Sequence, residues 1–155
     1  MTLGDHFPDG LVRVFVNRHL APGAVIKLYV RMDDGHMHEK RFVVLTSDET
    51  TVTLVINSSI SGFIAARPDM LKCQVAMPKH AHPFMDHDSQ VDCSRTRVYD
   101  TAEVVAQLTG NIHWLLGRIS PDLRDDIVAA LKRAPTLSVV EVKNLCGFLE
   151  SNAYD

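Results

Sequence analysis

Two hydrophobic patterns share this chain. Val25 to Met32 is rich in β-branched and aromatic residues and predicts a strand. Asp34-Gly35 predicts a tight turn, and Phe42 to Thr46 the returning strand. Ser47-Asp48-Glu49 predicts the next turn and Thr51 to Ile56 a third strand. Leu71 to Met77 and Val91 to Tyr99 read as further strands, and Ile112 to Leu116 as a short one. Pro22-Gly23 marks a turn, residues 57–72 are mixed around Gly62 and Pro68, and residues 78–90 form a polar, histidine-rich loop. Residues 1–10 read as a loose tail rich in Gly, Asp and Pro. Leu11 to Leu20 fits two patterns: a short helix on Leu11, Val14, Phe15 and Arg18, or a strand through Val12 to Val16.

The helical pattern dominates later. Asp100-Thr101-Ala102-Glu103 has the form of a capping box and predicts a helix over 101–109. Ser120-Pro121 supplies an N-cap and a proline at the first helical position. Leu123, Ile127, Val128 and Leu131 then mark one face of a helix ending before Pro135. Ser138-Val139-Val140-Glu141 predicts a last helix to about Glu150, with Val139, Val142, Leu145, Cys146 and Leu149 on its apolar side. Strands first and helices afterwards imply an α+β domain rather than a doubly wound α/β one. No phosphate loop, nucleophile elbow or dinucleotide fingerprint is present in the sequence.

Composition narrows this picture little. At 155 residues the chain predicts one domain with room for a core. A net charge of −3 argues against a general nucleic-acid coat but leaves room for a local basic groove. The cysteines, Cys73, Cys93 and Cys146, are odd in number and widely spaced, which predicts neither a disulfide framework nor a zinc site and suits a reducing cytoplasm. Asp5 and Asp9 stand where a signal peptide would be basic. No apolar run is long enough to span a bilayer, so no membrane partner is expected.

A series of short segments resembles the MazF/PemK type of toxin endoribonuclease, as a divergent member. Pro22-Gly23-Ala24-Val25-Ile26 is similar to that family's opening "P-G-D-I-V" strand, and Lys40 to Thr46 to its "R-P-x-x-V-L-S". Val55-Ile56-Asn57-Ser58 stands where a strand ends in "T-S". Val91 to Asp100 resembles "V-x-C-D-x-x-R-T-I-D", and Gly117-Arg118-Ile119-Ser120 the closing "G-x-L-S". The similarity runs from about residue 22 to 133, in the family's order. It implies a small SH3-like antiparallel β-barrel over 22–99, an N-terminal extension over 1–21 and a mainly helical part over 100–155. It further implies a cytoplasmic homodimer that cuts single-stranded RNA without a metal or other cofactor and is neutralised by a cognate antitoxin. Such cleavage uses the RNA's own 2′-hydroxyl, while the protein moves protons and offsets charge on phosphorus. The chain departs from the family at Phe42 (proline), Asn57 (threonine), Asp92 (sometimes basic) and Ser94 (acidic).

The candidate catalytic residues are Arg41, Ser58 and His38. Arg41 is permanently charged at a strand end and suits a phosphorane. Ser58 offers a hydroxyl, and His38 the imidazole of a general acid or base. The candidate RNA-binding residues are His36, Asn57, Ser59, Ser94, Arg95 and Arg97, with Arg95 and Arg97 on one strand face and Ser94 on the other. The simpler roles are solvated turn histidines, turn serines bonding their own backbone, and an Arg97 ion pair with Asp100. Tyr29, Phe42, Phe63 and Trp114 are either base-stacking or core. Two other functions fit: a non-catalytic barrel that binds RNA or protein, and a metal-dependent hydrolase using His80, His82, Asp86 and His87. That last set is similar to "H-x-H-x-D-H", with a longer gap between His82 and Asp86. Cys93 reads as a small buried residue.

Overall fold

The computed structural model describes residues 9–151, with side chains from 10 to 150. Helix α1 (Asp9–His19) leads into β1 (Ala24–Arg31), β2 (Met37–Ser47) and β3 (Thr50–Asn57). Two single-turn helices, α2 (Gly62–Ala65) and α3 (Pro68–Leu71), precede β4 (Gln74–Met77), β5 (Ser89–Asp92) and β6 (Arg97–Asp100). Helix α4 (Thr101–Gly110), β7 (Leu115–Arg118), α5 (Pro121–Leu131) and α6 (Val139–Ser151) complete the order. The strands form one antiparallel sheet in the order β4-β5-β3-β2-β1-β7, with β6 paired to the first half of β3. Register shifts at Val25/Ile26 and Val44/Thr46 bend the sheet into a half-barrel, because a bulge raises local twist. The α+β class expected from the pattern is the class observed.

Both sheet faces are covered, which explains why Phe42-Val43-Val44-Leu45 is continuously apolar. Val43, Leu45, Leu54 and Ile56 point to a core closed by α5 and α6. Phe42, Val44, Val55 and Ile26 point the other way, to a core closed by α1 and α4. Helix caps follow the sequence closely. Ser120 Oγ accepts from Leu123 N at 3.1 Å, and Asp100 accepts from Ala102 N at 3.1 Å. Ser138 and Glu141 form the full reciprocal box, at 3.1 and 3.3 Å.

Several expectations are corrected. Asp9 and Gly10, expected in a loose tail, open α1; residues 1–8 lie outside the described residues. The segment 11–20 is helical, but its buried face is Val12, Val16 and Leu20, while Leu11, Val14 and Phe15 are exposed. Leu71 belongs to α3 rather than to a strand, since Pro68 at a first helical position starts a turn there. The strand expected over 91–99 is broken: Asp92 accepts from Ser94 N at 2.9 Å and from its hydroxyl, a side-chain turn that swings the chain off β3 until Arg97. Ile112–Trp114 is a 3-10 turn, and β7 begins only at Leu115. The 78–90 loop is not all surface, because His82 and Met85 are buried. His82 Nδ1 donates to Pro78 O at 2.9 Å while Nε2 accepts from Ser120 N at 3.0 Å, tying the loop to the start of α5. Beside it, Phe84 lies so near Gly117 that a Cβ there would meet the ring at 2.6 Å.

Candidate functional site

Strand alternation decides the site. Lys40 and Arg41 are neighbours on β2, so they leave the sheet on opposite faces. Lys40 faces the side of Phe42 and stands across from the end of β3, where its Nζ donates to Asn57 Oδ1 at 3.1 Å. Arg41, paired in register with Ile56, faces the side of Val43. Its Nη2 meets Asp86 Oδ2 at 2.7 Å, and Nη1 lies 3.7 Å from Met85 Sδ.

A cavity of about 500 Å³ opens on the Lys40 face. His38, Asn57, Ser58, Ser59, Arg95 and Arg97, six of the nine residues singled out in the sequence, line it. A smaller cavity of about 280 Å³ opens on the other face and holds Arg41. Lys40 and Ser58 line both, so the two cavities meet at this rim.

Within the larger cavity, the histidine, the lysine and the arginines each have a partner. His38 Nε2 lies 2.7 Å from Asp34 Oδ2, a contact that orients the imidazole. The Asp34 carboxyl is held below its ordinary value by the backbone N–H of His36, then by His38. Lys40 is half-buried, and that burial, reinforced by the nearby Arg97 charge, lowers its pKa. Asp33 sits in the fork of two arginines: Arg97 donates at 2.9 and 3.1 Å, and Arg95 also donates to it. Arg97, chiefly by its hydrogen bond, holds the Asp33 carboxyl at about 2. Three basic residues (Lys40, Arg95, Arg97) thus face three carboxylates (Asp33, Asp34, Asp92), so the cavity has no large net field. Among the described residues the buried Nε–H groups of Arg95 and Arg97 have no acceptor.

The remaining candidates fall elsewhere. His36 is exposed in the β1–β2 turn, outside both linings. Ser94 is buried, its hydroxyl on Asp92 and its carbonyl accepting from Thr136 Oγ1 at 2.7 Å. Arg95 lies in the break between β5 and β6 and not on a strand, so alternation does not apply to it; both arginines reach Asp33, and the Arg97 partner is Asp33 and not Asp100. Cys93 is buried, and burial pushes its thiol pKa up. The histidine loop does not assemble a ligand set: His82 is engaged inside the fold, Asp86 holds Arg41, and His87 Nδ1 contacts Asp88 O at 2.9 Å. Among the described residues no group of three or more His, Cys, Asp or Glu is placed to hold a metal. Sequence reasoning missed Lys40, Asp33 and Asp34. Lys40 had a usable signal, standing two positions from His38 and therefore on its strand face.

No protein-family model matches the chain, and no match is found among curated proteins. Among the described residues no helix is long and apolar enough to cross a membrane.

Proposed function

We propose that the chain is a single-stranded RNA endonuclease of the MazF/PemK toxin type, acting without a metal at the rim between the two cavities. The observation that carries this reading is the convergence of His38, Lys40, Asn57, Ser58 and Arg97 on one open cavity at the β2–β3 strand ends. Cleavage by the RNA's own 2′-hydroxyl needs a proton acceptor, a proton donor and fixed positive charge. His38, oriented by Asp34, takes the proton of the 2′-hydroxyl as its oxygen bonds to phosphorus. Lys40, whose pKa is lowered by burial, protonates the 5′-oxygen as the phosphorus–oxygen bond breaks. The products are a 2′,3′-cyclic phosphate and a 5′-hydroxyl. Arg95 and Arg97 offset the charge on phosphorus, Asn57 and Ser58 donate to its oxygens, and Arg41 holds a neighbouring phosphate from the smaller cavity. A homodimer, a cognate antitoxin and a cytoplasmic setting belong to the same reading.

One observation favours a second reading, a non-catalytic RNA-binding barrel. Arg41 is tied to Asp86 on the sheet face opposite His38, so the three expected catalytic residues do not meet at one point. Incubation of the purified protein with mixed-sequence single-stranded RNA separates the two. The nuclease yields cyclic-phosphate ends in the presence of EDTA, and His38→Ala binds the RNA without cutting it. RNA bound but left whole by the wild type establishes the binding module; RNA neither bound nor cut removes both.

A further inference from the structure

Of the four aromatic residues that sequence leaves open between core and stacking, the fold sorts three away from the cavities. Phe42 is fully buried. Trp114 lies beneath Lys27, whose Nζ is 5.8 Å from the ring centroid. Tyr29 is exposed on β1 but lines neither cavity, and its backbone is clamped by Gln107 of α4 at 2.8 and 3.0 Å. Phe63 alone among them lines the larger cavity, with 56% of its surface exposed.

Phe63 is also held in place. It lies on α2, which is anchored by buried Ile64 and capped by Ser61 Oγ accepting from Ile64 N at 3.2 Å. One turn on, the Arg67 guanidinium lies 3.5 Å from the Phe63 ring centroid, and its Nη1 donates to Phe63 O at 2.7 Å. A single exposed phenylalanine is ordinary on a protein surface. An exposed ring backed by a cation, fixed to its own helix and lining the cavity of Lys40 and Arg97 is a preformed apolar plane beside a phosphate-binding edge.

We propose that Phe63 is a stacking platform for one base of the bound single strand, with Arg67 as the positioning residue behind it. The inference rests on the RNA reading above and adds to it where the base goes. A base has an apolar face and its phosphate a charge, and one cavity offers both the Phe63 ring and the Lys40 ammonium.

The test uses the full chain and two fluorescein-labelled strands of equal length and phosphate count. One is a mixed-sequence 2′-O-methyl RNA, which cannot be cut because its nucleophile is blocked. The other is an abasic spacer strand. Phe63→Ala is expected to weaken binding of the 2′-O-methyl RNA by about tenfold. Its affinity for the abasic strand and its salt dependence stay as in the wild type, and Phe63→Trp restores RNA binding. Lys40→Ala serves as the contrast, lowering affinity for both strands and flattening the salt dependence. Unchanged RNA affinity in Phe63→Ala, or an equal loss on both strands, overturns the stacking platform while leaving RNA binding intact. A wild type that binds neither strand removes the RNA reading and the platform with it.

Discussion

Lys40 and Arg41 are adjacent in the chain and belong to different sites. Lys40 is half-buried, bonds a neutral amide and shares its cavity with a histidine and two arginines. Arg41 is bound to the carboxylate of Asp86, which the histidine loop carries out to solvent. One position along a strand therefore separates a cation bonded to a neutral amide from one already neutralised. The difference teaches that a basic pair in a strand is two half-sites. Burial and partners, not residue type, decide which half can act on a phosphate. A desolvated lysine gives up a proton more readily than a paired arginine, whose charge is fixed at any working pH.

The largest expected effect breaks the comparison directly. Lys40→Ala removes the proton donor at the meeting of the two cavities and should lower RNA cleavage by about a hundredfold or more, as loss of a positioned general acid does elsewhere. Arg41→Ala should lower it by about tenfold or less, because Arg41 contributes only a neighbouring phosphate contact. Parallel measurement of kcat/KM for the two variants checks both figures. The reverse ranking would transfer the reaction to the smaller cavity and Arg41.

What the sequence made legible was local. The strands β1 and β3 and the caps at Asp100, Ser120 and Ser138 appear near their expected positions, whereas β2 begins at Met37, ahead of the Phe42 expected, and takes in His38, Lys40 and Arg41. What was illegible depended on long-range packing. Asp33 and Arg97 are 64 residues apart, and no local pattern links them. The interior position of His82 depends on Ser120 arriving 38 residues later to supply its N–H. Likewise α1 offers two apolar stripes, and only the place of the sheet decides that Val12, Val16 and Leu20 turn inward. The break at Cys93–Thr96 was hidden because a side-chain turn at Asp92 overrides good strand formers on both sides.

The second prediction perturbs the Arg41 side alone. His82 supports the loop that carries Met85 and Asp86, and both its ring nitrogens are bonded inside the fold. His82→Ala leaves Pro78 O and Ser120 N without those partners and opens a small void, at a cost of about 3 kcal/mol in unfolding free energy. Urea denaturation of the two proteins measures it. At temperatures where the variant remains folded, its loop should release Arg41, while affinity for the uncleavable RNA changes little. A large loss of RNA affinity in the folded variant would show that the two sheet faces act as one site.

The smallest effect concerns the Lys40 side and its own carboxylate. Asp33 occupies the fork of Arg95 and Arg97 that an RNA phosphate would use. It is well exposed, so the pair is screened by solvent. Asp33→Asn should tighten RNA binding by about two- to fivefold, the range of an exposed ion pair. The pH dependence gives the contact its own signature. The folded carboxyl is lowered from 3.8 to about 2, chiefly by the hydrogen bond from Arg97 and then by Arg95. A lowered carboxylate contributes stability that is complete above its unfolded value and is lost as pH falls through the folded one. The Tm difference between wild type and Asp33→Asn should therefore be flat from about pH 7 to 5 and close between about pH 4 and 2. Asp34→Asn placed in both proteins should leave that difference unmoved, because Asp34 bonds His36 and His38 and not the arginine fork. A Tm difference that persists at about pH 2 would mean that residue 33 acts through turn geometry rather than charge.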